Sequence, residues 1–87
     1  MDDVLRAIAE PHRRQILLLV RDCELSAGQI ADRFEVTRPA ISQHLRVLKE
    51  AQLIGERRVG RSRLYRAKPE RLQELRLYLE VFTLSST

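Results

Sequence analysis

The sequence predicts a mainly α-helical domain that carries one small β-hairpin. Apolar residues recur at helical spacing over most of the chain, and between residues 54 and 67 the period changes to two. Positive charge is concentrated around this change, because residues 36–68 hold nine basic and two acidic side chains while the segments on either side are net negative. Such an uneven distribution indicates a surface that binds a polyanion.

The length of the chain limits what it can bury. A chain of 87 residues forms one domain, 1–87, that hides only about 60 to 65% of its unfolded surface, so we expect modest stability and help from a second copy. The longest apolar run, Ile16–Val20, is far shorter than a membrane span, and no leader pattern is present. We therefore expect a soluble, cytoplasmic protein. Cys23 is the only cysteine and excludes an internal disulfide.

The first third of the chain predicts two helices. Two acidic residues followed by Val4, Leu5 and Ile8 at helical spacing indicate a short first helix. Pro11 fits the opening turn of a second helix, where a missing N–H group costs little. Ile16–Val20 leaves this second helix almost no polar face, so we expect it at the centre of the core.

Two further helices follow at close spacing. Ser26 and Gln29 have the form of a capping box and predict a third helix of two to three turns. After a three-residue connection, Thr37 can cap a fourth helix with Pro39 inside its first turn. Two helices joined by so short a turn form a helix-turn-helix outline.

The fourth helix separates its polar and apolar residues. At 100° per residue, Ile41, Leu45 and Leu48 fall within about 40° of one another. We expect this stripe to face the core and the opposite side to remain available for a ligand. The residues on that opposite side are Pro39, Ser42, Gln43, Arg46 and Glu50.

A hairpin with a basic tip and a last helix complete the chain. Alternating residues on either side of the connection Gly60–Ser62 predict the hairpin. Pro69 then opens a helix with two apolar stripes, of which one can serve the core while the second needs another partner. The first stripe comprises Leu72, Leu75, Leu79 and Phe82, and the second Leu77, Val81 and Leu84.

These motifs resemble the ArsR-type winged helix-turn-helix transcriptional regulators over nearly the whole chain. The matching blocks are AIAEPHRRQILLLV at 7–20, ELSAGQIADRFEVTRPAISQHLRVLKEAQLI at 24–54 and ERRVGRSRLYRA at 56–67. The resemblance implies a winged-helix DNA-binding domain, a homodimer built from the first and last helices, and operator binding that represses transcription. In this chain the implied dimer interface comprises Val4, Leu5, Ile8, Leu77, Val81 and Leu84.

The chain departs from the family pattern in two places. Where the family usually has Ala-Gly-Leu after the fourth helix, this chain has Gln52 between Ala51 and Leu53, which costs roughly 1 kcal/mol if the position needs φ above zero. Metal-responsive members carry a cysteine pair before the turn or His and carboxylate ligands on the last helix. The segment 22–26 has one thiol and 72–84 has no His, so we expect no metal site and no cofactor.

The groove-facing residues follow from the fourth helix. We expect the Gln43 amide to pair with adenine and the Ser42 hydroxyl to serve several bases. Arg38 and Arg46 can reach guanine or phosphate, and Thr37 combines capping with a phosphate contact. His44 projects between the core and polar sides, where packing and a nucleic-acid contact are both open; a solvated face is the alternative for the polar residues.

The hairpin supplies the second predicted contact. Its arginines are too many like charges to lie together without an anion nearby, which favours contact with the DNA backbone or minor groove over a merely solvated tip. They are Arg57, Arg58, Arg61 and Arg63.

The leading hypothesis is a sequence-specific DNA-binding repressor that acts as a homodimer on an imperfect palindromic operator and controls its own gene. The alternatives are a winged-helix module for protein or RNA and a repressor that responds to an unknown effector. An enzyme is not expected, since the two histidines have no acid and nucleophile pattern around them and no phosphate-binding glycine loop is present.

Overall fold

The computed structural model describes residues 1–84, and residues 85–87 of the predicted domain lie outside that range. A helical body with a small antiparallel sheet confirms the predicted mainly α class with a wing. No helix among the described residues has the length and apolar character needed to cross a membrane. The elements are α1 (Asp2–Ile8), α2 (Pro11–Leu19), β1 (Leu25–Ser26), α3 (Ala27–Ala31), α4 (Arg38–Glu50), β2 (Ile54–Val59), β3 (Ser62–Ala67) and α5 (Pro69–Leu84).

The predicted helix starts are confirmed by their caps. The Ser26 hydroxyl accepts the backbone N–H of Gln29 while the Gln29 side chain accepts the N–H of Ser26, which completes the capping box of α3. The Thr37 hydroxyl accepts the N–H of Ala40 at 3.2 Å and caps α4. Each cap satisfies backbone donors that the helix itself cannot pair.

The sheet contains one strand more than the hairpin predicted. β1 pairs antiparallel with β3, placing Leu25 opposite Tyr65 and Ser26 opposite Leu64, so the strand order is β1-β3-β2. Two residues are too short to show alternation in sequence, which explains why this strand was not predicted. α3 is a helix of five residues instead of the predicted two to three turns, because it ends at Ala31 and the N–H groups of Arg33 and Phe34 donate to carbonyls only three residues earlier.

The end of α4 confirms the strained position expected from the sequence. Gln52 adopts φ 63°. Its N–H donates to the Lys49 carbonyl at 3.0 Å, and the N–H of Leu53 donates to the Leu48 carbonyl at 3.0 Å. These two bonds form a Schellman motif, in which the residue in the left-handed conformation is usually glycine.

The core lies between α2, α3, α4 and the base of the wing. Ile16, Ile30, Ile41 and Leu48 are fully buried there. The expectation for α2 holds only in part, because Leu18 is 64% exposed and its neighbours are half-buried. A helix on the outside of a small body buries one stripe, and α2 follows that rule despite its apolar run.

The first helix is fastened to the body by polar contacts as well as by packing. Arg13 donates from Nε to the Ala7 carbonyl at 2.6 Å, and Arg14 donates from Nη1 to the Ile8 carbonyl at 2.7 Å. Both guanidinium groups thus satisfy carbonyls at the end of α1. Asp3 at the other end accepts from Arg71 of α5 at 2.9 Å.

The dimer-interface prediction needs one correction on α1. Val4 is fully buried in the protomer's own core, so it offers no surface to a second copy. Leu5 and Ile8 are half-buried. Helical spacing placed all three on one side, but only burial distinguishes the residue that faces the core.

Helix α5 packs against the body only along its first half. Leu75 is its one buried residue and Leu72 is partly buried, whereas Leu79 and Phe82 of the predicted core stripe are 48% and 63% exposed. The assignment of that stripe to the core is wrong beyond Leu75, because the helix projects past the body. The protein is 51 Å in its longest dimension and 25 Å in the next.

Candidate nucleic-acid interface

One face of α4 is uncovered and polar. Ser42, Gln43 and Arg46 are exposed on this face, on the side opposite buried Ile41 and Leu45. Thr37 and Arg38 are exposed at its start. This face presents amide, hydroxyl and guanidinium groups, which is the chemistry that base edges and phosphates bind. We call it the groove face.

His44 does not lie on the groove face. Its side chain is only 16% exposed, and Nε2 lies 3.7 Å from a carboxylate oxygen of Glu10 at the start of α2. The ring stacks on His12 with centroids 5.6 Å apart. The prediction of a nucleic-acid contact by His44 is therefore corrected, because α2 covers the imidazole.

This polar cluster was missed at the sequence level. The potential ligand atoms of Glu10, His12 and His44 lie within 4.8 Å of one another. The Nδ1 of His12 is 2.9 Å from Glu10, and its ring also contacts Phe34. More than thirty residues separate His44 from its partners, so no local spacing could have revealed the group.

The wing turns two of its arginines toward the same side as the recognition helix α4. In the register of β2 and β3, Glu56 lies opposite Tyr65 and Arg58 opposite Arg63. Buried Tyr65 identifies this face as the one directed at the body. Arg58 and Arg63 are directly opposed like charges, an arrangement that destabilises a free hairpin and favours a bound anion.

A cleft of about 320 Å³ separates α4 from the wing, and Glu56 lies within it. Its carboxylate is 3.5 Å from Lys49 Nζ and 4.0 Å from Arg63 Nη1. Burial, together with the contact to Glu56, raises the pKa of the Tyr65 phenol. Glu56 thus balances the positive charge of this cleft and joins the recognition helix to the wing.

Arg57 has an internal partner that the sequence did not reveal. Its guanidinium donates two hydrogen bonds to Glu24, at 2.9 and 2.7 Å. The bonded guanidinium lowers the pKa of the Glu24 carboxyl. The argument that four wing arginines lack a nearby anion is therefore wrong for Arg57, whose planar fork is already occupied.

A second cleft shares Arg63 and Tyr65 with the first and lies between the start of α3, the start of α4 and the tip of the hairpin. Ser26, Arg38, Arg61 and Arg63 line it, and no acidic side chain is among its lining residues. Gly28 gives Arg38 room, because a Cβ there would lie 3.4 Å from Arg38 Nη1. Within residues 1–84, neither Arg38 nor Arg61 forms an ion pair. Arg63 lies 4.0 Å from Glu56, but the positive charges of Arg38 and Arg61 in this cleft are not compensated.

A helix-turn-helix with an uncovered polar face and a basic wing defines a DNA-binding protein of the winged-helix class. The chain belongs to the family described as "Bacterial regulatory protein, arsR family", whose model matches residues 10–55. Members of this family are DNA-binding transcriptional regulators and not enzymes.

Individual relatives agree with this assignment. The chain is 39% identical to "Transcriptional repressor SdpR" of Bacillus subtilis (strain 168), over 85% of this chain and 82% of the relative. It is 40% identical to "HTH-type transcriptional regulator Rv2034" of Mycobacterium tuberculosis (strain ATCC 25618 / H37Rv), over 93% and 76%. Among solved structures, the "ArsR-like Transcriptional Regulator from Rhodococcus sp. RHA1" superposes with TM-score 0.91 at 31% identity, covering 97% of this chain and 77% of that one.

Proposed function

We propose that this protein is a sequence-specific repressor that binds an imperfect palindromic operator as a homodimer. The observation that carries the proposal is the uncovered groove face of α4 beside a cleft lined by three arginines and no acid. The similarity to a named repressor supports the direction of regulation.

The groove face provides base recognition. Gln43 is exposed in the middle of α4 and can make a bidentate contact to adenine, with Ser42 beside it as a donor or acceptor. Arg46, one turn further along, can contact guanine or a phosphate. Thr37 and Arg38 at the start of the helix are placed to contact the sugar-phosphate backbone.

The wing provides backbone affinity. Arg58 and Arg63 repel each other across the hairpin, and Arg61 lies at its tip without an acidic partner in the described residues. A phosphate between such groups removes repulsion and releases counterions, so these three residues contribute affinity without sequence preference. Arg57 contributes less, because Glu24 holds its fork.

A second copy of the chain is the partner proposed for α5. Leu77, Val81 and Phe82 are each 63% exposed on its projecting half, and Leu18 is 64% exposed on the outside of α2. Apolar rows of this kind mark interaction surfaces. With Leu5, Ile8 and Leu84 they form the proposed dimer interface, and binding to a palindromic operator requires that the two recognition helices of the dimer lie about 34 Å apart.

The physiological target that we propose is the upstream region of the protein's own gene, with repression exerted in the cytoplasm. Selection on random duplexes followed by footprinting on that region tests the proposal. We expect a motif with two inverted half-sites one helical turn apart, and protection of that motif upstream of the gene. Enrichment of no motif would overturn it in favour of a winged-helix module for protein or RNA.

A further inference from the structure

His44 is the one residue of the recognition helix whose polar atoms are both directed at another helix. Its Nε2 lies 3.7 Å from Glu10 Oε2, and its Nδ1 lies 3.4 Å from Arg13 Nη1. Both partners belong to the start of α2, whereas the neighbouring Gln43 is exposed on the groove face. The imidazole therefore connects α4 to α2 at the level of the proposed base contacts.

The two partners of His44 are themselves held in place. Arg13 donates to the carbonyls of Ala7 and Arg6 at the end of α1, at 2.6 and 3.1 Å. Glu10 caps α2 by accepting the backbone N–H of Arg13 at 3.1 Å. A side chain that contacts two fixed groups is fixed by them in turn, so this cluster restrains α4 against the first two helices.

The contacts select one protonation state of the imidazole. A guanidinium group has donors and no acceptor, so Nδ1 of His44 must present its lone pair to Arg13. The remaining proton then lies on Nε2, on the side of the Glu10 carboxylate. Only the neutral ring satisfies both sides, because a second proton on Nδ1 would oppose the Arg13 N–H groups.

The same cluster is less suited to a metal ion. Imidazole lone pairs lie in the ring plane, and the rings of His12 and His44 are stacked with planes only 15° apart. Their lone pairs do not converge on one point between them. The Arg13 guanidinium also places a positive charge 3.4 Å from His44, so we treat metal binding as an alternative for experiment.

We propose that His44 is a positioning residue which holds the recognition helix in its DNA-reading pose through Glu10 and Arg13, and that acid releases this hold. The inference rests on the proposed DNA-binding function. It adds a regulatory property. As the pH falls, the ratio of operator affinity to random-DNA affinity falls, while the overall affinity for DNA does not.

The electrostatics around His44 give the direction of the pH effect. The groups that act on His44 are Glu10, Arg13 and His12. Burial lowers the pKa of His44 below 6.5. The nearby Arg13 and His12 lower this pKa further, whereas the Glu10 carboxylate opposes the shift. A group that loses its proton more easily in the folded state stabilises the fold above its unfolded pKa. That stabilisation is complete above about pH 6.5 and is lost as the pH falls through the lowered pKa.

The test compares three variants. His44→Gln keeps a donor and an acceptor but cannot be protonated, His44→Ala removes both, and His12→Gln is the matched control for the second imidazole. We expect His44→Ala to reduce the ratio of operator to random affinity about tenfold at about pH 7.5, and His44→Gln to retain most of it. Between about pH 7.5 and 5.5 the ratio should fall for the wild type and His12→Gln and stay constant for His44→Gln.

A second readout does not depend on DNA. The difference in Tm between the wild type and His44→Gln should become smaller or reverse sign as the pH falls, since only the wild type loses stabilisation. Equal pH dependence of both proteins would overturn the proposal. So would a Zn²⁺-induced rise in Tm that His12→Gln abolishes, because it would identify a metal site. The wild type could show the pH-dependent Tm difference from His44→Gln and yet bind operator and random DNA equally at every pH. That result would refute only the DNA-binding proposal.

Discussion

At the scale of single residues, the proposed function assigns base recognition to Gln43 and backbone affinity to Arg61. We expect Gln43→Ala to weaken operator binding about tenfold and to leave random DNA almost unchanged, since a bidentate adenine contact is worth roughly 1 to 3 kcal/mol. Arg61→Ala should weaken both DNAs similarly and reduce the log–log salt slope by about two, which is about one for each subunit of the proposed dimer. Fluorescence anisotropy on both duplexes measures this. Equal losses on both DNAs for Gln43→Ala would contradict the assignment.

The pair Glu24 and Arg57 gives a prediction in the opposite direction. Glu24→Gln removes the anion that occupies the Arg57 fork, so we expect a gain of about two- to fivefold per subunit in affinity for any duplex at low salt and a salt slope steeper by about two for the proposed dimer. Arg57→Ala alone should change binding little, and in the Glu24→Gln background it should abolish the gain. A Glu24→Gln protein that binds no better would show that Arg57 does not reach DNA.

The sequence predicted the exposure of polar side chains wherever local geometry decides. Ser42, Gln43 and Arg46 are exposed as the helical period requires, because an angle of 100° per residue needs no knowledge of the rest of the fold. The contacts of His44 and Arg57 were not predicted, because their partners are distant in the sequence. The partner of Arg57 is 33 residues away, and an ion pair at such separation leaves no periodic trace.

At the scale of elements, helix starts were more predictable than strands. The caps at Ser26 and Thr37 are local hydrogen bonds, and serine and threonine are residue types that are preferred at the N-cap position. Strand β1 exists only because β3 comes alongside it, and α5 leaves the body where its neighbours end. Both are properties of tertiary structure that no window of the chain contains.

The Schellman motif after α4 gives a stability prediction. Gln52→Gly should raise the free energy of unfolding by about 1 kcal/mol, because glycine adopts φ 63° without the Cβ clash. Thermal denaturation should show a Tm higher by about 4 to 8 °C. Gln52→Ala is the control, since it removes the same 2.9 Å contact with Lys68 while keeping a Cβ. If Gln52→Gly is no more stable than Gln52→Ala, the left-handed conformation of Gln52 does not strain the protein.

At the scale of the whole molecule, the proposed dimer interface on the projecting half of α5 gives a prediction about assembly. Leu77→Asp or Val81→Asp should raise the dimer dissociation constant by about 100-fold or more, since each places a charge in an apolar interface. Analytical ultracentrifugation should show monomers with unchanged helical circular dichroism. Arg76→Asp, on the same helix but about 100° around it from Leu77, should remain dimeric, because exposed Arg76 lies outside the proposed interface. If Leu77→Asp and Val81→Asp both remain dimeric, the dimer interface lies elsewhere on the protein.

The apolar row on α5 also relates the protein's activity to its abundance. A lone copy presents a single recognition helix, so occupancy of a two-fold site follows the square of the subunit concentration when that concentration is well below the dimer dissociation constant. A doubling of synthesis then becomes about a fourfold rise in the species that silences the promoter. Side chains such as Leu77 and Val81, which contact no DNA in the proposed dimer, would thereby set a dosage threshold.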